Sequence, residues 1–220
     1  MSSQTNLSSS SERRTPRLDV VLFKWKAWEQ EKHQREPGVV YVTDLVECQL
    51  KREYEQVFPE VARADFFNPV TLVGDIVHKG VQAILQGFAE ARFEVEGEML
   101  FEGVRIRGRA DMLLDDRVVD FKYTRSVRYI PYDHHVLQVR IYMRMFGKAR
   151  GSILYVSPDG VKEVDDSINP DLSKPVTDGE LRLLLEGRGT PAYPEWECSY
   201  CQWIYICPKV VSRGGKPSEL

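Results

Sequence analysis

Three consecutive runs between Phe93 and Tyr123 constrain the fold of this chain more than any other feature. FEVEGEMLFE, VRIRGRADMLL and RVVDFKY mix apolar and polar side chains in strand-like texture and are parted only by Glu102-Gly103 and Asp115-Asp116. Such runs with turns this short predict an antiparallel meander, whose register is set by the turns and whose apolar face must be covered. The covering elements are predicted on either side. A helix from about Leu72 to Ala91 precedes the meander, and another, Tyr132 to Phe146, follows it and stops at Gly147. GSILYVS reads as a buried strand, Pro158-Asp159-Gly160 as a turn, VKEV as a short strand and Asp178 to Glu186 as a last helix. This succession predicts an α/β fold, a mixed sheet flanked by helices.

Upstream, residues 1–16 are polar and Ser-rich and read as a disordered tail, with 212–220 as a C-terminal one. Leu18, Val21, Leu22, Trp25 and Trp28 recur at helical spacing and predict an amphipathic helix ending before Pro37-Gly38. Another helix is expected to start near Asp44, where Asp44-x-x-Glu47 resembles a capping pattern, and to carry Cys48. The 220 residues suffice for one domain with a full core. Residues 17–211 are read as that domain, with about 40–60 and 188–211 forming a small cysteine-rich lobe. Met1–Ser11 holds no apolar run fit for a signal peptide, and no later stretch approaches a membrane-spanning length. A cytoplasmic protein without membrane contact is therefore expected. In that reducing setting its four cysteines are read as free, catalytic or metal-bound rather than disulfide-paired. The net charge of -3 argues against coating nucleic acid through a general basic field, and leaves a local phosphate contact open.

The chemistry concentrates in the meander. A two-residue loop at Asp115-Asp116 counts Asp111 directly opposite Asp120, with Cβ atoms about 4.5–5.5 Å apart. Carboxylates so placed repel, and a divalent cation between them is the simplest compensation. Lys122, two residues beyond Asp120, falls on the same face. Carboxylates that hold a cation, with an ammonium to orient a water or stabilise developing charge, are the equipment for phosphodiester hydrolysis. A register slip of one residue would separate the pair, and Asp120 and Lys122 would then be ordinary solvent-facing residues beside an acidic turn. His78 could complete a carboxylate metal site or serve as a structural histidine. Gln138 and Tyr142, spaced i, i+4, share a helix face and could hold a phosphate or the lysine, or pack as an interface pair. Arg140, Arg144 and Lys148 lie out of phase with them and read as a solvated stripe, with a DNA track as the alternative.

Cys198, Cys201 and Cys207 offer three thiolates from one segment, and Cys48 is the remaining cysteine. Closing so long a loop costs entropy that grows only slowly with length. Four cysteines suit tetrahedral zinc, whereas a lone distant cysteine plus C-x2-C-x5-C-P is closer to iron-sulfur ligation. The spacing leaves both open, as well as unliganded thiols. Tyr200, Trp203 and Tyr205 stand among these cysteines and could stack on nucleic-acid bases, fill a small core or shield a cluster.

The set His78, Gly108-Arg109-Ala110-Asp111, Asp120-Phe121-Lys122 and Gln138-x-x-x-Tyr142 resembles, in order and spacing, the RecB-like branch of the PD-(D/E)XK nuclease superfamily. The cysteines are similar to those of the iron-sulfur nucleases of that branch, so the resemblance spans about residues 40–210. A chain this short, with no helicase segment, looks most like the CRISPR-associated exonucleases. The resemblance implies a restriction-endonuclease-like fold in which His78, Asp111, Asp120 and the main-chain carbonyl of Phe121 bind Mg2+ or Mn2+. It implies a catalytic Lys122 supported by Gln138 and Tyr142. It also implies an iron-sulfur cluster on Cys48, Cys198, Cys201 and Cys207, 4Fe-4S being favoured over 2Fe-2S. The implied activity is exonucleolytic cleavage of DNA, single strands favoured, in spacer acquisition alongside the CRISPR integrase complex. Val119 precedes Asp120 and no proline precedes Asp111, a departure from the family pattern that leaves both aspartates and the lysine in place. Two readings compete: a DNA-repair nuclease of the same fold, and a non-catalytic nucleic-acid binding module stabilised by zinc.

Overall fold

A computed structural model describes residues 17–32, 35–64, 69–87, 90–188, 198 and 201–208. The tails expected at 1–16 and 212–220, and Tyr200, lie outside the described residues. The chain divides into two units, residues 1–34 and 35–220. In the first, α1 (Leu18–Lys32) is helical as its spacing predicts, and Leu18, Val21, Leu22 and Trp28 are exposed on it.

The second unit is built on one mixed sheet. Its strands are β1 (Val39–Tyr41), β2 (Arg92–Phe101), β3 (Val104–Leu113), β4 (Arg117–Tyr123), β5 (Arg150–Ser157) and β6 (Gly160–Val164). The order is β1-β3-β4-β5-β6, with β2 also paired to β3. Glu102 and Gly103 turn the first hairpin with φ of 48° and 82°, the left-handed pair that a two-residue turn between right-twisted strands requires. In the second hairpin the Leu114 N–H donates to Arg117 O at 3.0 Å, and Leu113↔Val118 and Met112↔Val119 follow in the expected register.

There the β3–β4 ladder ends. Further back along β3, the same edge is taken by β1, parallel, at Arg105 to Arg107. β4 pairs instead along its whole length with β5, from Arg117↔Arg150 to Tyr123↔Val156, also in parallel. Parallel neighbours need a crossover, and α6 (Asp133–Phe146) supplies it, ended by Gly147 at φ 63°. The sheet therefore forks, with β3 and β4 joined at the hairpin and parted beyond it.

Helices cover both faces. On one side α2 (Val42–Val46), α6 and α7 (Asp178–Leu185) bury Val42, Leu45, Ile106, Val118, Ile141 and Leu181. On the other, Val81 and Leu85 of α5 (Pro69–Leu85) pack on Met112, Val119 and Phe121. Two glycines let α6 press against the sheet. A Cβ on Gly108 would meet the Tyr142 ring at 2.7 Å, and one on Gly151 would meet Val139 Cγ1 at 2.3 Å.

Three expectations change. The helix expected from Asp44 begins earlier, at Val42, because Asp44 reaches back from its third position to accept the Tyr41 N–H at 2.8 Å. Glu47, extended, ends α2, and Cys48 sits outside any helix as the N-cap of α3 (Gln49–Val57), which α4 (Pro59–Ala64) follows. The arginine stripe is not merely solvated. Arg140 donates to Lys174 O at 2.8 Å and pairs with Glu180, Arg144 donates to Val176 O at 3.2 Å and pairs with Asp178, and Lys148 donates to Asp115 O at 2.8 Å. The two arginines pin the segment leading into α7 against α6, and Lys148 ties the end of α6 to the β3–β4 turn. Among the described residues no helix is long and apolar enough to cross a membrane.

Gly151→Ala should lower stability by about 1–3 kcal/mol through overpacking against Val139. Thermal and urea unfolding of the variant beside the wild type would measure it.

Candidate functional site

The mouth of the fork gathers the charged residues of the meander. One register step past Met112↔Val119, Asp111 on β3 faces Asp120 on β4, and no ladder pairing is made there. The Phe121 N–H donates instead to Asp111 Oδ2 at 2.7 Å. Asp120 is only 2% exposed, so it is no solvent-facing strand residue. Side chains reach this point from both faces of the sheet. From α5, His78 places Nε2 2.9 Å from Asp111 Oδ1 and lays its ring against Phe121 at 5.4 Å. From the α6 side, Lys122 Nζ stands 2.9 Å from Asp120 Oδ2 and donates to Gln138 Oε1 at 2.8 Å. Gln138 Nε2 in turn donates to the Tyr142 hydroxyl at 3.4 Å. His78, Asp111, Phe121, Asp120, Lys122, Gln138 and Tyr142 are thus brought together.

Their electrostatics follow from burial of like charges. Burial pushes the Asp120 carboxyl above the usual carboxylate range and Asp111 adds to this, while Lys122 and His78 oppose it. Burial alone would lower the proton affinity of Lys122, but Asp120 and Asp111 outweigh it and hold the ammonium above the ordinary lysine value. His78 likewise gains proton affinity, since its hydrogen bond to Asp111 and the charges of Asp111, Glu94 and Asp120 exceed the effect of burial. Burial raises the Tyr142 phenol, which stays protonated. Protein cations thus offset the buried carboxylates.

An imidazole with two carboxylates is a donor set that suits a divalent cation. Asp120 Oδ2 has no well-aligned hydrogen bond despite its ion pair with Lys122. A cation would enter by displacing the His78–Asp111 and Lys122–Asp120 contacts. As the side chains stand, no group of three or more His, Cys, Asp or Glu among the described residues is gathered closely enough to hold one.

Three neighbours escaped the sequence reading. Glu94 of β2 is placed by register opposite Asp111 and points its carboxylate at His78 and Arg109. In the sequence it is one of several glutamates in FEVEGE, and nothing marks it out. His134 and His135 open α6, where His135 Nδ1 meets the Tyr155 hydroxyl at 3.0 Å. Burial and the charge of Lys122 depress both imidazoles, His134 to about 4 and His135 well below the ordinary value.

The Cys201 thiol is raised first by burial and further by Cys48 and Cys198, which makes those three electrostatic neighbours. Cys207 is buried. Tyr54 of α3 stacks on Trp203 at 5.4 Å and donates to Ile206 O at 3.2 Å, and Phe58 packs on the same indole at 6.0 Å. Trp203 fills a core rather than offering a stacking surface, while Tyr205 is exposed.

The family model described as the PD-(D/E)XK nuclease superfamily matches residues 26–208. The chain belongs to the PD-(D/E)XK nuclease superfamily. It is 33% identical over 200 residues to the CRISPR-associated exonuclease Cas4 of Saccharolobus solfataricus, covering 87% of this chain and 98% of that protein. The crystal structure of SSO0001 superposes with a TM-score of 0.76 at 30% identity, over 87% of this chain and 96% of that one. The forked sheet between α5 and α6 is accordingly a PD-(D/E)XK nuclease fold.

The depressed histidines give this nuclease an acid-sensitive core. An unfolded chain binds protons at His134 between pH 6.5 and about 4 where the folded chain does not, so stability should fall as pH drops through that window. Melting temperatures recorded against pH should decline less steeply in a His134→Gln/His135→Gln variant than in the wild type.

Proposed function

We propose that this PD-(D/E)XK nuclease is a metal-dependent DNA exonuclease that acts on single strands and prepares DNA for CRISPR spacer acquisition. The observation that carries the reading is the position of Lys122. Its ammonium is held between Asp120 and Gln138 at the mouth of the fork, with Asp111 and His78 alongside. His78, Asp111, Asp120 and the main-chain carbonyl of Phe121 would hold Mg2+ or Mn2+. Such a cation, when bound, polarises a phosphate and lowers the pKa of a coordinated water.

The chain's own residues do the positioning. Lys122 donates from Nζ, orienting the attacking water and stabilising charge that develops on the phosphate oxygens. Gln138 Oε1 accepts a hydrogen bond from Nζ and so keeps the ammonium from collapsing wholly onto Asp120. Tyr142, packed under Gly108 and kept protonated by burial, holds Gln138 in place. Asp111, tied to the Phe121 amide, couples the two strands that carry the carboxylates.

Cys48, Cys198, Cys201 and Cys207 are assigned to an iron-sulfur cluster, 4Fe-4S in preference to 2Fe-2S. The reading is supported by the influence of Cys48 and Cys198 on the Cys201 thiol and by the packing of α3 on residues 201–208. The cluster's role is structural, tying α3 to the C-terminal segment. The assignment to spacer acquisition, with the integrase complex as partner and the cytoplasm as the place, rests on similarity to the CRISPR-associated exonuclease.

With Mn2+ and end-labelled single-stranded DNA, the wild type should shorten the strand from its ends and spare a circular one. Lys122→Ala and Asp120→Asn should each lower the rate on the order of 10²- to 10³-fold. Cleavage by Lys122→Ala at the wild-type rate would overturn the assignment. Separately, anaerobically purified protein should be brown and contain iron, and Cys48→Ser should bleach it and lower its melting temperature. Zinc at full occupancy without iron overturns the cluster assignment and leaves the nuclease one standing.

A further inference from the structure

Between β2 and β3 the pairing is regular from Arg92↔Leu113 to Phe101↔Val104 except at one step, Glu94 opposite Asp111, where no pair is made. Both strands are irregular there. Residues two apart in a strand face the same side of a sheet. Yet Phe93 packs in the α5-side core while Val95 packs in the α6-side core, and Met112 and Ala110 are divided in the same way. Each strand therefore reverses its faces across this pair. On β2 the reversal is absorbed by Glu94 itself, at φ 51°. A left-handed backbone at a residue other than glycine is disfavoured, and a glutamate has no intrinsic preference that explains it. Such a conformation persists only where surrounding contacts impose it, and these collect at working sites.

The contacts of the Glu94 side chain are electrostatic. Glu94 Oε2 lies 2.7 Å from Arg109 Nε, and Oε1 lies 3.7 Å from both Lys79 Nζ and His78 Nδ1. Both oxygens are buried from solvent, and neither has a well-aligned hydrogen bond, so ion pairs alone hold the carboxylate. The His78 ring consequently stands between two carboxylates, Nδ1 toward Glu94 and Nε2 toward Asp111 at 2.9 Å. The ring lies against Phe121 and has one carboxylate toward each nitrogen edge.

We propose that Glu94 is a positioning residue of this site: it holds the Nδ1–H edge of His78, so that the Nε2 lone pair is presented beside Asp111 to a divalent cation. The inference rests on the proposed role of His78 as a metal ligand. Its physical basis is the two-sided chemistry of imidazole. A ring that binds a cation through one nitrogen carries its proton on the other, and an acceptor at that second nitrogen fixes tautomer and orientation and raises the basicity of the first. Lys79 and Arg109 anchor the Glu94 carboxylate. Without His78, Glu94 would simply be the ion-pair partner of Arg109 and Lys79.

The test is a double-mutant cycle on Mn2+ affinity, measured by calorimetry without DNA. Glu94→Gln should weaken Mn2+ binding about 10- to 100-fold in the otherwise wild-type chain. In a His78→Ala background the same substitution should change affinity by less than about twofold. Arg109→Gln, which removes an ion-pair partner of Glu94 and keeps the histidine, should weaken it far less than Glu94→Gln does. Should Glu94→Gln fold poorly, Glu94→Asn suits the left-handed backbone better and serves in its place. A loss that persists undiminished without His78 overturns the inference, because Glu94 then acts on the cation by charge alone. An unchanged affinity in Glu94→Gln overturns it as well. A wild type that binds no Mn2+, or a His78→Ala variant that binds it like the wild type, instead removes the metal-ligand reading, and this inference falls with it.

Discussion

Two carboxylates set opposite each other on neighbouring strands would normally push the strands apart, and here the strands do part. The β3–β4 hairpin is laced by ladder pairs only next to its turn, and Asp111 and Asp120 occupy the first position where the lacing stops. Everything around this point responds to that repulsion. An amide of β4 bonds to the Asp111 side chain in place of a strand partner, a histidine comes from one covering helix, and a lysine held by the other helix comes from the opposite face. Buried like charges survive only where compensation is supplied. In this molecule compensation arrives from both layers, so the site needs a sheet open enough to be reached from each side.

The close fit of α6 belongs to the same design. Lys122 can be held by Gln138 only if the helix lies very near the sheet, and it does so because Gly108 and Gly151 leave no side chain in the way. The helix is then fastened along its outer side by Arg140 and Arg144, which grip the carbonyls of the segment before α7 and the acids at its start. The core on one side and the arginine grip on the other fix the rotation of α6, and with it the direction in which Gln138 and Tyr142 point.

Much of this was legible in the sequence, for reasons that can be named. The meander was readable because its turns are two residues long, and so short a turn transmits register directly to Asp111 and Asp120. Gln138 and Tyr142 were readable because a strong helix pattern ends cleanly at Gly147. What escaped was decided by tertiary contact. β1 has three residues, too few for alternation to show, and owes its existence to the edge of β3 that β4 vacates. Asp44 looked like the start of a helix because a capping box reads similarly from either end, and only the Tyr41 amide fixes its phase. The arginines looked solvated because sequence carries no sign of the carbonyls they meet. Glu94 was hidden for a deeper reason, since alternation treats every glutamate of FEVEGE alike and its left-handed backbone is imposed from outside the strand.

The pairing of β4 has a mechanical meaning. β4 shares seven partner positions with β5 and only two with β3. Asp120 and Lys122 therefore belong by ladder to the half of the sheet that contains β5 and β6, whereas Asp111 and Glu94 belong to the half that contains β1, β2 and β3. Beyond the hairpin the two halves are bridged by the bond from the Phe121 amide to Asp111 and by α6, which packs on Gly108 of one half and Gly151 of the other. The span between the two aspartates is thus set by a side chain and a covering helix, with no ladder rung to fix it.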